Sequence, residues 1–233
     1  VNGLTWDSSC QQWSLNTGDQ LSDTSAVVVI AASNGSQNFT QTRHLPLKAI
    51  RGQISSVPVT PASQHLRTVI CGAGYLAPAS SGSHTLGATY NLDTTTPEVR
   101  DVDHRRNLDQ LLLTDPALPN FLDNPSPAIL DGRASLRCTT PDYLPLIGPA
   151  ANFTAFTEDF ALLRTNARAD IPRCGSYWPG LYVHCGLGSR GFTYAPLGAE
   201  LLAGVINREA PALPLDLQIA LHPARFIIRD LKR

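Results

Sequence analysis

The sequence predicts a mixed α/β fold, in which one α/β domain is interrupted by an antiparallel-sheet domain. Three observations carry this. Ala26-Val27-Val28-Val29-Ile30-Ala31-Ala32 and Leu181-Tyr182-Val183-His184-Cys185 are apolar runs without alternation, suited to strands buried on both faces as in a parallel sheet. Several short strands with turn signals lie between them, suited to an antiparallel sheet. The second run feeds at once into Gly186-Leu187-Gly188-Ser189-Arg190-Gly191 and then an apolar helical stripe.

Taken in order, Leu4-Thr5-Trp6 and Gln12-Trp13-Ser14-Leu15 read as strands of a small meander, with Asn16-Thr17-Gly18-Asp19 as a turn. Ser33-Asn34-Gly35-Ser36 ends the first apolar run. Arg51 to Pro58 alternates as a strand, and Thr68 to Cys71 is another. Gly74 to Pro78 and His84 to Tyr90 flank Ser80-Ser81-Gly82-Ser83, as in a hairpin. Val102 to Leu113 predicts a helix with Val102, Leu108, Leu111 and Leu112 near one face, and Asp101 or Asp103 as its cap. Pro116 to Pro127 is a connection, and Ala134 to Cys138 a further strand. Leu144 to Pro149 follows it, and Phe156 to Arg168 fits either a helix or a surface loop. Pro196 is placed at a helix start, ahead of Leu197, Leu201, Leu202, Val205 and Ile206 on one face. Pro223 to Arg229 reads as a short amphipathic helix.

The 233 residues suffice for one large domain or two small ones, and the hydrophobic fraction of 42% can fill a core. The net charge of −1 provides no global basic field for nucleic acid. No run of about 18 apolar residues is present, so no membrane span is expected. The chain holds no Met and begins with Val1, which leads to the expectation of a piece of a longer, cytoplasmic protein. Its five cysteines lack CxxC spacing and its six histidines lack HxxxH spacing, so reduced thiols and no metal site are expected.

Gly186 to Gly191 matches GxGxxG in form, and glycines let the backbone approach a ligand at a helix N-terminus. The dinucleotide fingerprint also wants a following strand and an acidic residue about 20 positions on. Glu209-Ala210-Pro211-Ala212-Leu213-Pro214 supplies no such strand. A nicotinamide site, another cofactor contact and a structural turn all stay open. Arg137 ends an apolar strand and Tyr75 stands on another. Together a guanidinium and a phenol suit a carboxylate, although each alone also reads as structural. A guanidinium aimed at Cys138 would lower its thiol pKa. Of the basic groups, His104-Arg105-Arg106, Arg164 with Arg168 and Arg173, and Arg225 with Arg229, Lys232 and Arg233, the last is the expected phosphate contact if the substrate is RNA.

Arg51-Gly52-Gln53, Gly74 to Pro78, Leu86-Gly87-Ala88-Thr89-Tyr90, Arg137 to Gly148, Gly186 to Ala195 and His222 to Phe226 occur in order. This set resembles the D-amino-acid-oxidase-like flavoenzymes, which include glycine oxidase. Within them it is most similar to the branch formed by the oxidase halves of bifunctional tRNA-modifying proteins. The resemblance implies an FAD-dependent oxidase acting on the carboxymethylaminomethyl group of a wobble uridine in tRNA. Glyoxylate would be released, and a separate methyltransferase would then use S-adenosylmethionine. It implies substrate carboxylate binding by Arg137 and Tyr75, and flavin contacts from Gly186, Leu187, Gly188, Ser189, Arg190, Gly191 and Phe192. It divides the chain into 1–45 and 180–233 as parts of a Rossmann-like FAD-binding domain, with 46–179 as the substrate domain. The family's N-terminal phosphate-binding turn and the methyltransferase are expected to lie outside these residues, so the isolated chain is expected to carry no flavin. A glycine- or sarcosine-type oxidase and a non-catalytic module are the alternatives.

Overall fold

The computed structural model describes residues 1–18 and 20–233, and nothing of the Ser22 and Ile129 side chains. In chain order the strands and helices are β1 (Gly3–Asp7), β2 (Gln12–Thr17), β3 (Gln20–Ser25), β4 (Val28–Ile30), β5 (Lys48–Pro58), β6 (Ile70–Cys71), β7 (Tyr75–Leu76), β8 (Ser83–Gly87), α1 (Asp101–Thr114), α2 (Leu118–Phe121), β9 (Asp131–Thr139), β10 (Leu146–Ala151), α3 (Phe153–Asp159), β11 (Tyr177–Cys185), α4 (Gly191–Asn207), α5 (Leu215–Leu221) and α6 (Arg225–Leu231). The expected turn at 16–19 reaches Asp19, which lies outside the described residues. The chain divides into two compact units, 1–48 with 137–233, and 49–136. Residues 137–179, expected with the inserted sheet, group by compactness with the flanking segments, because β10 pairs with β11.

In the discontinuous unit, β1, β2 and β3 form an antiparallel meander. A second sheet runs β10-β11-β4, with β10 antiparallel and β4 parallel to the central β11. The centre is buried as its sequence predicts, since Leu181, Val183 and Cys185 are all buried. The partner strand departs from its prediction. β4 is three residues long, and Val27 and Val29 are 40% and 41% exposed. It is an edge strand, so burial on both faces does not follow from its composition. Trp13 is fully buried in this core beside Leu4, Ile30, Leu45 and Phe226, and its indole N–H donates to Pro179 O at 2.7 Å. α4 begins at Gly191, so Pro196 lies inside the helix rather than at its start. Its buried face is Gly198, Leu201, Leu202 and Gly204, whereas Leu197 and Val205 are each 39% exposed.

Residues 153–164 resolve the open choice at 156–168 as a short helix followed by a 3-10 turn. His222 closes the core beneath them, its ring 5.7 Å from that of Tyr177. Its Nδ1 accepts the Ala224 N–H at 3.1 Å. Burial first, and the Arg225 charge second, push its pKa down to about 4. The unfolded chain takes up this proton near 6.5. Stability is therefore whole above that pH and falls as the pH drops from 6.5 towards 4. A loss of about 1–2 kcal/mol is expected from this group after allowing for its partial exposure. Burial alone pushes His44 to about 4 as well. Burial lowers His184 too, so His222→Asn should remove only part of the acid slope in chemical denaturation. An unchanged slope would remove His222 from this account.

In the contiguous unit, β6, β7, β8, β5 and β9 form one sheet in that order, with the last residues of β9 belonging to the other unit. The hairpin forms where predicted, with Ser81 at φ 52° and Gly82 at φ 82° in its turn. α1 packs on this sheet, but its buried face is Asp103, His104, Asn107 and Leu111. Val102 and Leu112 are 53% and 49% exposed. The reason lies in β5, whose buried alternate positions are Arg51, Gln53, Ser55 and Val57. Polar residues meet at one end and apolar ones at the other. Arg51 Nη1 donates to Asp103 Oδ2 at 2.7 Å, and Ser55 Oγ lies 2.7 Å from His104 Nδ1. Asn107 Nδ2 donates to Gln53 O at 3.2 Å and Ser55 Oγ at 3.0 Å. Val57 and Leu111 join Leu76, Leu86, Leu118 and Leu122 in an apolar cluster. Neither expected cap forms, because the N-cap position falls on Arg100, which makes no side-chain cap, and Asp103 is engaged by Arg51.

Candidate functional site

The carboxyl ends of the parallel pair β4 and β11 deliver two loops, and ligands in open α/β sheets sit at such ends. The first loop is a 3-10 helix at Ser33–Asn38, entered through Ser33 at φ 54°. Asn34 Oδ1 is buried there without a hydrogen-bond partner among the described residues. The second loop is 186–190. Gly186 is required for two reasons: its φ is +72°, and a Cβ would meet Thr140 Cγ2 at 2.8 Å. Gly188, at φ +59°, donates its N–H to Cys138 O at 2.8 Å. That bond ties the loop to the end of β9, next to Arg137. No side chain caps α4 at Arg190; Thr193 N–H donates to Arg190 O at 3.0 Å, which leaves Gly191 and Phe192 N–H as the first-turn donors without an intrahelical acceptor.

Arg137, Leu187, Gly188, Ser189, Gly191, Phe192, Ala195 and Pro196 line an open cleft of about 640 Å³. Phe192 is fully exposed at its mouth. Of the predicted residues, the cleft thus gathers Arg137, Leu187, Gly188, Ser189, Gly191 and Phe192. Gly186 is buried behind them, and Arg190 is exposed outside the lining. Tyr75 belongs to the contiguous unit, half-buried on β7 opposite Gly87 of β8. Sequence reasoning missed Asn34. Its signal was the small polar run Ser33-Asn34-Gly35-Ser36 at the end of an apolar strand, read only as a terminator.

Cys138 does not become an activated thiol beside Arg137. Burial pushes its pKa up, against weaker opposing hydrogen bonds from Gly186 and Ser33. Burial, then the Cys138 charge, pushes Cys185 to about 12. All five cysteines are unpaired. Among the described residues no three His, Cys, Asp or Glu side chains gather as a metal set, and no helix is long and apolar enough to cross a membrane. Within the tail cluster, three arginines have acidic partners. Arg225 grips Asp142 with Nε to Oδ2 and Nη2 to Oδ1, both at 2.9 Å, and donates to Leu144 O and Pro145 O. Burial would raise the Asp142 carboxyl, but the Arg225 hydrogen bond and charge hold it below the usual range. Arg229 and Arg233 both face Asp230, at 2.9 and 3.8 Å.

Residues 1–205 match the family described as FAD dependent oxidoreductase. The tRNA 5-methylaminomethyl-2-thiouridine biosynthesis bifunctional protein MnmC of Chromobacterium violaceum is 45% identical over 232 residues, which are 99% of this chain and 35% of that protein. The protein of the same name from Pseudomonas syringae pv. tomato is 46% identical over 228 residues, 95% of this chain and 34% of its own length. The chain thus spans about a third of the curated relatives it matches. Among solved structures, glycine oxidase from Geobacillus kaustophilus aligns with a TM-score of 0.67 at 19% identity, over 97% of this chain and 51% of that one. Iminodiacetate oxidase from Chelativorans sp. BNC1 aligns with a TM-score of 0.63 at 18% identity, over 95% and 52%. These likenesses share the mixed α/β architecture described above. By the extent of its family match, the chain belongs to the FAD-dependent oxidoreductases of the D-amino-acid-oxidase type.

Proposed function

We propose that this chain is the oxidase part of a tRNA-modifying flavoenzyme. Its reaction would remove the carboxymethyl group of 5-carboxymethylaminomethyl(-2-thio)uridine at the wobble position, leaving an aminomethyl group and glyoxylate. The observation that carries the reading is the cleft that sets Arg137 beside the glycine loop 186–191, in a chain this similar to proteins named for thiouridine biosynthesis. On the same reading, a separate methyltransferase domain uses S-adenosylmethionine to methylate the product, and the work is cytoplasmic.

The residues present fit a flavin. Asn34 Oδ1 is a buried acceptor without a donor, Gly186 and Gly188 bring bare backbone to the loop, and Gly191 and Phe192 at the start of α4 offer N–H groups that could donate to an anion. Loop residues 186–189, Gly191 and Phe192 would hold it, with Arg190 at the margin. When bound, the flavin supplies a hydride acceptor for the carbon beside the substrate amine. Arg137 would bind the carboxylate of the glycine-like substituent through paired N–H donors and so fix which carbon is presented. Tyr75 keeps the role that the family resemblance implies, a phenolic donor to the same carboxylate. The amine loses its proton as the C–N bond becomes an imine. Water then adds to that imine and releases glyoxylate and a primary amine. Segments 1–45 and 180–233 would serve the cofactor and the intervening sheet the substrate.

Glyoxylate release by flavin-loaded holoenzyme from tRNA carrying the modified uridine, set against release from free glycine, tests the reading. Release from tRNA is expected, and turnover of the free amino acid alone would replace it with an amino-acid oxidase. Gly186→Ala is expected to cost about 1–2 kcal/mol through its left-handed backbone and to lower flavin content. Thermal melting and flavin absorbance of the variant, made in the full-length enzyme and set against wild type, check this.

A further inference from the structure

Beyond the cleft just described, the contiguous unit carries a second, polar cleft of about 280 Å³. It is lined by Asn91, Asp93, Thr94, Arg100, Val102, Asp103 and Arg106, where the 91–100 segment meets the start of α1. Two guanidiniums stand on its wall, and neutral groups orient both. Arg106 Nη1 donates to Asn91 Oδ1 at 2.9 Å, and Arg100 Nη2 donates to Thr94 Oγ1 at 3.3 Å. Neither forms an ion pair among the described residues. Asp103 offers the cleft little free charge, because Arg51 holds one oxygen at 2.7 Å and Asn91 Nδ2 the other at 2.9 Å. With Asp103 matched by Arg51, the lining sets two cations against the single carboxylate of Asp93. The other basic groups differ. Arg225, Arg229 and Arg233 face carboxylates, Arg173 faces Asp159 at 3.5 Å, and Arg164 and Arg168 are exposed without lining either cleft.

We infer that Arg100 and Arg106 form a phosphate-binding site for the backbone of an RNA substrate. This rests on the tRNA reading and moves the RNA contact from the C-terminal tail to the start of α1. A guanidinium already oriented by a neutral acceptor keeps donors for a phosphodiester and loses less entropy on binding it. Such contacts position the RNA without reading its sequence.

The test measures labelled tRNA binding by flavin-loaded holoenzyme across a salt series, for wild type, Arg100→Gln/Arg106→Gln and Arg229→Gln/Arg233→Gln. The cleft variant is expected to bind about tenfold more weakly near 0.1 M salt, with a salt slope smaller by about 1–2. Its flavin content and its turnover of the free modified nucleoside should match wild type. The tail variant should bind as wild type does. If the cleft variant keeps wild-type affinity and slope while wild type binds tRNA, the site is wrong and the tRNA reading stands. If wild type binds no tRNA and oxidises free glycine, both fall. Should the double variant melt early, Arg106→Gln alone, whose side chain is exposed, must still reduce the slope by about 1.

Discussion

In the full-length, flavin-loaded enzyme, Arg137→Ala is expected to lower kcat/KM for the carboxylate-bearing substrate about a hundredfold while leaving flavin content unchanged. A paired, charge-assisted contact to a carboxylate is worth roughly 3 kcal/mol, and each 1.4 kcal/mol is a factor of ten. The side chain lines the cleft, but the loop beside it is held by backbone, Gly188 N–H to Cys138 O at 2.8 Å. That backbone bond does not depend on which side chain stands at position 137. Arg137→Lys keeps the charge without the planar fork and should recover only part of the loss. Tyr75→Phe removes one neutral donor and should cost about tenfold. The decisive comparison is the rate at saturating substrate against flavin absorbance. A variant that loses flavin but keeps its apparent affinity for the carboxylate would transfer Arg137 from substrate to cofactor.

Asp103→Ala should destabilise the contiguous unit by about 3–5 kcal/mol, the usual cost of leaving a buried charge without its partner. Arg51 is fully buried, and Asp103 is 1% exposed. The arginine also donates to Thr96 O at 2.9 Å, to Gln53 Oε1 at 3.0 Å and to Glu98 O. Gln53 in turn accepts the Arg100 N–H at 2.8 Å and donates to Arg100 O at 2.9 Å. The network fastens the 91–100 segment to β5, so its loss should loosen that segment too. Burial would raise the Asp103 carboxyl, but hydrogen bonds from Asn91 and Arg51 and the Arg51 charge hold it below the ordinary 3.8. This contribution is whole above that value and is lost as the pH falls through the lower, folded one. The paired change Arg51→Met with Asp103→Leu should restore much of the stability. A loss under about 1 kcal/mol for Asp103→Ala, measured by denaturant titration, would mean that Arg51 finds another partner.

The network also explains which parts of the fold were legible. Apolar pattern located β11, the hairpin, α1 and α4, because burial of the apolar faces of Leu181, Leu86 or Leu201 is what sets those elements. The same weighting turned α1 the wrong way. Val102 and Leu112 outscored Asp103 and Asn107 on hydropathy, yet the facing strand presents Arg51, Gln53 and Ser55, and hydrogen bonding decided the orientation. The alternation Arg51-x-Gln53-x-Ser55-x-Val57 was visible, but its polarity was not taken as a core signal. Of the cleft lining, Arg137 and the glycine loop were legible because their residue types are chemically demanding. Asn34 was not, since nothing in the sequence says that its carbonyl oxygen is buried without a donor. Arg225 shows the converse, a basic residue in a basic tail whose partner, Asp142, lies far away in the chain.

The parallel pairing of Leu181 with Val28 has a consequence for synthesis. Translation at about 5–20 residues per second would leave β4 waiting roughly 10–30 s for β11 to emerge. Throughout that interval the backbone edge of Val28–Ile30 that β11 later pairs is an open template for the wrong strand. The intervening unit is contiguous in sequence, so all of it emerges before β11 does. Folding of the nascent chain is therefore expected to complete the local β1-β2-β3 meander and the intervening unit before the β4–β11 pair, with β4 as the stretch that most needs shielding by a chaperone on the way.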